Sequence, residues 1–247
     1  DITAILAAGI KIQLGVEVGR DITVRELRAA YDAVVLAVGL QESKTLSVPG
    51  ADHPGVLKAL PFLQQANRGE KPAIGSRVLV VGGGDVAMDV ARTAVRLGAG
   101  EVNVICLESR EEMPAKTWEI EEALEEGVGL INGYGPQEVV VDDHQILGLR
   151  AQKVRHVFDA SGRFNPVFEP DAVITQPCDT IILAIGQRPG REYIHDSGLA
   201  VDDRGFIVID QEFLHTSVEG VFACGEIAEG PGLAIEAIAS GHKAAVI

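Results

Sequence analysis

Residues 78 to 91 read VLVVGGGDVAMDVA: an apolar run, three glycines, then apolar residues at helical spacing. Gly82, Gly84 and Ala87 fill a G-x-G-x-x-(G/A) pattern, in which each position has its own physical task. Gly82 permits a tight turn out of a strand. Gly84 leaves the backbone bare where a pyrophosphate approaches, and Ala87 lets the following helix pack close to a sheet. With Gly83, Asp85 and Val86 the stretch is a candidate dinucleotide cradle, its helix presenting free N–H groups and a positive dipole end to the phosphates. Glycine turns between strand and helix are common. Here the context raises the reading, because an apolar strand precedes the turn, a long helix follows it, and a second strand, VNVICL, comes next.

That second strand runs into Leu107-Glu108-Ser109-Arg110. Glu108 falls in the window where an acidic side chain accepts hydrogen bonds from the adenosine ribose hydroxyls, and a carboxylate there repels a 2′-phosphate. The expectation is NAD(H) in preference to NADP(H). An ordinary surface glutamate is the alternative, and Arg110 nearby weakens the charge argument.

Bulk properties exclude several partners. Of 247 residues, 36 are acidic and 21 basic, a formal net charge of −15 that argues against nucleic acid and anionic membrane surfaces. No apolar run approaches bilayer-spanning length and no signal segment opens the chain, so no membrane insertion and a cytoplasmic location are expected. Cys106, Cys178 and Cys224 lie far apart and the six histidines are scattered, so no disulfide scaffold, iron–sulfur centre or metal site is expected within the chain. Abundant glycine (28 residues) and few aromatics (4%) suit an α/β protein with many tight turns.

Several elements must position the cradle. A short helix ending at Gly9 and an alternating strand, IKIQLGVEV, open the chain; a helix around Pro61 precedes the cradle. TWEIEEALEEG is a helix with Ile120 and Leu124 facing inward, its glutamates a solvated face. Pro136 to Phe168 reads as an antiparallel meander, GFIVID and GVFACG as short strands, and GLAIEAIASGHKAAVI as a closing helix with an apolar face at Ile235, Ile238 and Ala239. YDAVVLAVG (31–39) and CDTIILAIG (178–186) share one design, an Asp, an apolar strand and Ala-x-Gly, and they bracket the cradle. Two similar strand ends predict two similar domains.

The segment TSVEGVFACGEIAEGPGLAIEAI resembles the second FAD-binding motif of glutathione-reductase-like flavoproteins, which have two dinucleotide-binding domains. Those proteins usually have Gly-Asp where this chain has Gly225-Glu226, the Asp binding the flavin's ribityl chain; Glu226 is one methylene longer. The resemblance implies that Gly232, Leu233 and Ala234 present backbone N–H groups to the flavin ring. It also makes Ala37–Gly39 and Ala184–Gly186 the crossovers between domains. GGGDVAMDVARTAVRLGAGEVNVICLESREEMPA further resembles the pyridine-nucleotide domain of the glutamate synthase small-subunit family, and the likeness extends over the whole chain. NADPH-using members of that family carry two arginines after the second strand, where this chain has Leu107 and Glu108.

On this reading the fold is α/β, a Rossmann-like NAD(P)-binding domain (66–190) inserted in an incomplete FAD-binding domain formed by residues 1–65 and 191–247. The family's upstream G-x-G-x-x-G is not in the sequence, so the expectation is the C-terminal part of a larger flavoprotein, with FAD in the parent protein and weak or no FAD binding here. The implied reaction is hydride transfer from NAD(P)H to FAD and on to an iron–sulfur domain or subunit. The chemistry lies in the cofactors, so no catalytic residue is assigned. The competing reading is a nucleotide-binding or assembly module without turnover.

Overall fold

A computed structural model describes residues 2–142 and 144–246. By internal packing the chain divides into two compact units, residues 42–187 and the pair of flanks up to 41 and from 188 onward.

The 42–187 unit is built on a five-stranded parallel sheet. Its order is Val56–Lys58, Thr180–Leu183, Arg77–Val81, Glu101–Cys106, Gly129–Asn132. A sheet covered on both faces needs apolar residues on both, and Arg77–Val81 supplies them in alternation. Val78 and Val80 pack with Val102, Val104 and Ile182 against Ala87, Met88, Val90, Ala91 and Ala94 of the helix Asp85–Arg96, and against Phe62 and Ile120 of the flanking helices Ala59–Asn67 and Thr117–Glu125. Leu79 and Val81 face the other way with Ile105, Ile181 and Leu183, and meet Val139, Ile146, Leu149 and Ala151. These last four belong to a three-stranded antiparallel meander, Tyr134–Asp142, Gln145–Phe158 and Phe164–Pro177. The unit is therefore three-layered, helices on one face of the parallel sheet and the meander on the other. Phe164–Pro177 is an edge strand, the place where Pro166 and Pro170 are tolerated because no ladder N–H is required of them.

Helix ends follow the local chemistry. Pro61 lies in the first turn of Ala59–Asn67, where its missing N–H is no loss. Arg92, largely buried, joins Glu122 (2.6 Å), Glu126 (2.7 Å) and Glu119 (3.4 Å), and so ties Asp85–Arg96 to Thr117–Glu125.

In the flanking unit Val34–Leu36 pairs in parallel with Val221–Ala223, and Val24, Tyr193, Leu199, Ile207 and Ile227 complete a small core. Helix Val24–Ala30 starts with a full capping box between Thr23 and Glu26. The two matching segments behave alike. Val34–Leu36 and Thr180–Leu183 are strands, each followed by a glycine of positive φ, Gly39 at 62° and Gly186 at 100°. Each glycine stands just before a unit boundary.

By packing the divide falls at 41/42 and 187/188, where the sequence reading puts 65/66 and 190/191, and Val56–Lys58 pairs with Thr180–Leu183 in the central sheet. Four expectations need correction. IKIQLGVEV forms no strand; Ile10, Ile12, Leu14 and Val16 are exposed and only Val18 makes a bridge. GFIVID contributes a single bridge, Val201 with Ile207. In Thr117–Glu125 the inward pair is Ile120 and Ala123, three residues apart, while Leu124 is exposed. The closing helix Ala234–Val246 leaves Ile235 65% and Ile238 54% exposed, with Ala239 exposed as well.

Candidate functional site

The cradle grows out of the strand Arg77–Val81. Gly82 donates its N–H to Ile105 O at 2.9 Å and turns at φ 135°, beyond the range of ordinary L residues. A Cβ at Gly82 would run into the Ala184 carbonyl, so this glycine is required by the fold. Gly84 differs in kind. It is the N-cap of Asp85–Arg96 with no side-chain cap, and a Cβ built on it meets nothing within 4 Å. The helix therefore begins with uncapped N–H groups beside open space, which is what a pyrophosphate needs. Val86 is half-buried and Ala87 fully buried against the sheet, as close helix packing demands.

Glu108 reaches this loop. Its Oε2 lies 3.0 Å from the position of a Cβ on Gly83. The turn bearing it is fastened through its carbonyl, which accepts from Gly133 N at 3.0 Å, Asn132 Nδ2 at 3.2 Å and the Cys106 thiol at 3.6 Å. Burial, and then the Glu108 charge, push the Cys106 thiol up to about 12. That sulfur is a packing group under the glycines.

Sequence reasoning missed the strap after Glu108. Ala115 N donates to Gly83 O at 3.0 Å, and Lys116 N donates to Asp85 Oδ1 at 2.7 Å. Asp85 belongs to the candidate cradle, and its carboxylate holds the strap. No spacing rule points to such a bond, since its partner is a backbone N–H thirty-one positions away. At the far side of the same unit's crossover, Gly186 O accepts from Lys44 N at 3.0 Å, and the Lys44 ammonium stands 3.7 Å from where a Gly186 Cβ would be.

In the flanking unit a second group gathers. Gly225 takes φ 67°, ψ −158°, and its N–H is held by the buried Ser240 hydroxyl at 3.0 Å. Glu226 Oε1 accepts from Gly232 N at 3.3 Å, and its Oε2 lies 3.8 Å from a Cβ position on Gly39. Glu226 thus spans from the strand end Ala37–Gly39 to the Gly230-Pro231-Gly232 turn. Leu233 N donates to Glu236 Oε2 at 2.7 Å, one half of a capping box legible from the three-residue spacing; Ala234 opens the helix. Gly225, Glu226, Gly232, Leu233 and Glu236 line a cavity of about 250 Å³. That is below the roughly 300–1,000 Å³ of small-molecule sites.

Among the described residues no three His, Cys, Asp or Glu could hold a metal ion, and no helix is long and apolar enough to cross a membrane.

The sequence profile of pyridine nucleotide-disulphide oxidoreductases matches residues 2–241. The chain belongs to that family. A relative from Moorella thermoacetica, named NADP(+)-dependent formate dehydrogenase subunit beta, is 40% identical over 250 residues, 100% of this chain and 35% of the relative. The glutamate synthase [NADPH] small chain of Azospirillum brasilense is 34% identical over 253 residues, covering 96% of this chain and 52% of that one. The chain thus spans a third to a half of these relatives' length. Mycobacterium tuberculosis FprA, solved in complex with NADPH, has the same fold with a TM-score of 0.75 at 20% identity, over 93% of this chain and 65% of its own. Membership accounts for the mixed α/β fold, its parallel sheet and the glycine cradle.

Proposed function

We propose that the chain is the nucleotide-binding part of an NAD(P)H-dependent flavoprotein oxidoreductase that passes hydride to FAD and electrons onward to an iron–sulfur domain or subunit. The observation that carries this is Gly84: an uncapped helix N-terminus with open space before it, in a family that oxidises or reduces pyridine nucleotides. In this reading Gly82 to Ala87 hold the dinucleotide, and Gly39, Gly225, Glu226 and Gly232 to Ala234 hold the flavin's ribityl chain and ring. Bound FAD supplies the two-electron chemistry, and the protein's residues position it. Within each unit the crossover segment ends on a positive-φ glycine that leaves backbone bare near that unit's group.

NADH is preferred over NADPH in this reading. The relatives quoted above carry NADP in their names; the contrary proposal for this chain rests on Leu107 and Glu108, with the Glu108 carboxylate at the glycine loop. A carboxylate there accepts from ribose hydroxyls and repels a 2′-phosphate. In this reading affinity for FAD is weak in these residues alone, because the flavin-side cavity is small. The nucleotide-binding or assembly module is the second reading, favoured by that same cavity. The deciding experiment is anaerobic addition of NADH to FAD-loaded protein. Loss of the oxidised flavin's colour supports the oxidoreductase; bound NADH with unchanged flavin supports the module.

A further inference from the structure

Two consecutive side chains leave the strand Glu101–Cys106 in different directions. Glu108 stands at the glycine loop, beside Gly83. Leu107 goes to the antiparallel layer. A Cβ on Gly135 would lie 2.6 Å from Leu107 Cδ2 and 2.6 Å from Phe168 Cε1, so the leucine methyl and the ring edge flank the same bare glycine backbone. Gly135 belongs to Tyr134–Asp142 and Phe168 to Phe164–Pro177. One of the turn's hydrogen bonds leads toward the same layer, since Gly133 N holds the Glu108 carbonyl and Gly133 O accepts from Val154 N at 2.8 Å.

We infer that the two positions have separate roles in nucleotide choice: Glu108 reads the ribose, and Leu107, seated on Gly135 against Phe168, fixes how Glu108 is presented. Phe168 is then a positioning residue for specificity, contributed by the meander rather than by the parallel sheet. The inference rests on the NADH reading above. Its physical basis is that a carboxylate discriminates hydroxyl from phosphate only while its distance and angle are held, and hydrogen bonds weaken steeply with misalignment. The hydrogen bonds to its carbonyl fasten the Glu108 backbone, and the seat of Leu107 on Gly135 fixes the direction in which the turn leaves the strand. An arginine at 107 would have to abandon Gly135 or displace Phe168, so it disrupts the turn instead of recruiting a 2′-phosphate.

Calorimetric titration of NADH and NADPH against the full chain and five variants tests this, with thermal melting alongside. The native chain binds NADH more tightly. Glu108→Arg lowers the NADH-over-NADPH ratio by about tenfold or more, the size of one charge-assisted hydrogen bond, with melting unchanged. Leu107→Arg lowers the melting temperature and weakens both nucleotides without a selective gain for NADPH. Phe168→Ala and Leu107→Ala, which empty the space over Gly135 from either side, bring the ratio toward one, and Phe168→Leu restores it. Purely structural roles would weaken both nucleotides equally and leave the ratio alone. A Leu107→Arg chain that gains NADPH as Glu108→Arg does, or truncations that leave the ratio unmoved, overturn the inference while the NADH reading stands. A native chain without NADH preference overturns both, and the first titration shows it.

Discussion

Lys116 donates its backbone N–H to Asp85 Oδ1 at 2.7 Å. A carboxylate on the first residue of the cradle helix would oppose a pyrophosphate if left free; here it is committed to the strap. With Ala115 N on Gly83 O, the strap is bonded on both sides of Gly84, so the loop that must meet the phosphates is braced from its neighbours. Asp85→Ala is expected to lose about 1–3 kcal/mol of stability, the penalty for leaving a partly buried N–H without its acceptor. Asp85→Asn keeps an acceptor and loses less. Urea denaturation of the two variants checks the order.

The two outer glycines of the cradle predict opposite phenotypes. Gly82→Ala places a Cβ against the Ala184 carbonyl at a backbone conformation L residues avoid, and is expected to lower the melting temperature or prevent folding. A Cβ on Gly84 meets no neighbour within 4 Å, and Gly84→Val is expected to keep the native circular dichroism spectrum and melting temperature while abolishing NADH binding.

The three thiols should be silent in the folded chain. Burial raises Cys106 and Cys178 to about 12 and raises Cys224 as well, so almost none is thiolate near neutrality. A colorimetric thiol reagent at neutral pH is expected to find no fast-reacting cysteine before denaturant and three after it.

The cradle was legible because strand, glycines and helix are local, and each residue's task is set by its immediate neighbours. The matching segments at 31–39 and 178–186 were legible for the same reason, as repeated strand ends closing on glycine. Non-local features were not. IKIQLGVEV alternates correctly for a strand, but alternation specifies a face and not a partner, and among the described residues no strand pairs with it. Ile235 and Ile238 mark an apolar stripe on a real helix without fixing what covers it. Val56–Lys58 joins a strand far along the chain, Thr180–Leu183, a pairing that no local pattern marks. The Asp85–Lys116 bond and the gathering of Leu107 and Phe168 at Gly135 are likewise long-range, and no residue pattern announces them.

Tyr193 is 6% exposed in the core of the flanking unit, and among the described residues its hydroxyl has no hydrogen-bond partner. Burial, with the nearby Glu192 charge adding, raises it to about 12. A buried donor without an acceptor destabilises by about 1–3 kcal/mol, so Tyr193→Phe is expected to hold or raise the melting temperature. A clear loss of stability in a thermal melt would show that the hydroxyl has a partner, such as a buried water.

The central claim is that the glycine loop and Glu108 form the pyridine nucleotide site, and amide hydrogen exchange with and without NADH tests it most directly. The expected result is slowed exchange at residues 83 to 88 and around Glu108, with the segment from Gly225 to Ala237 unchanged. Unaltered exchange at the glycine loop under saturating NADH, or protection confined to Gly225–Ala237, would contradict the account.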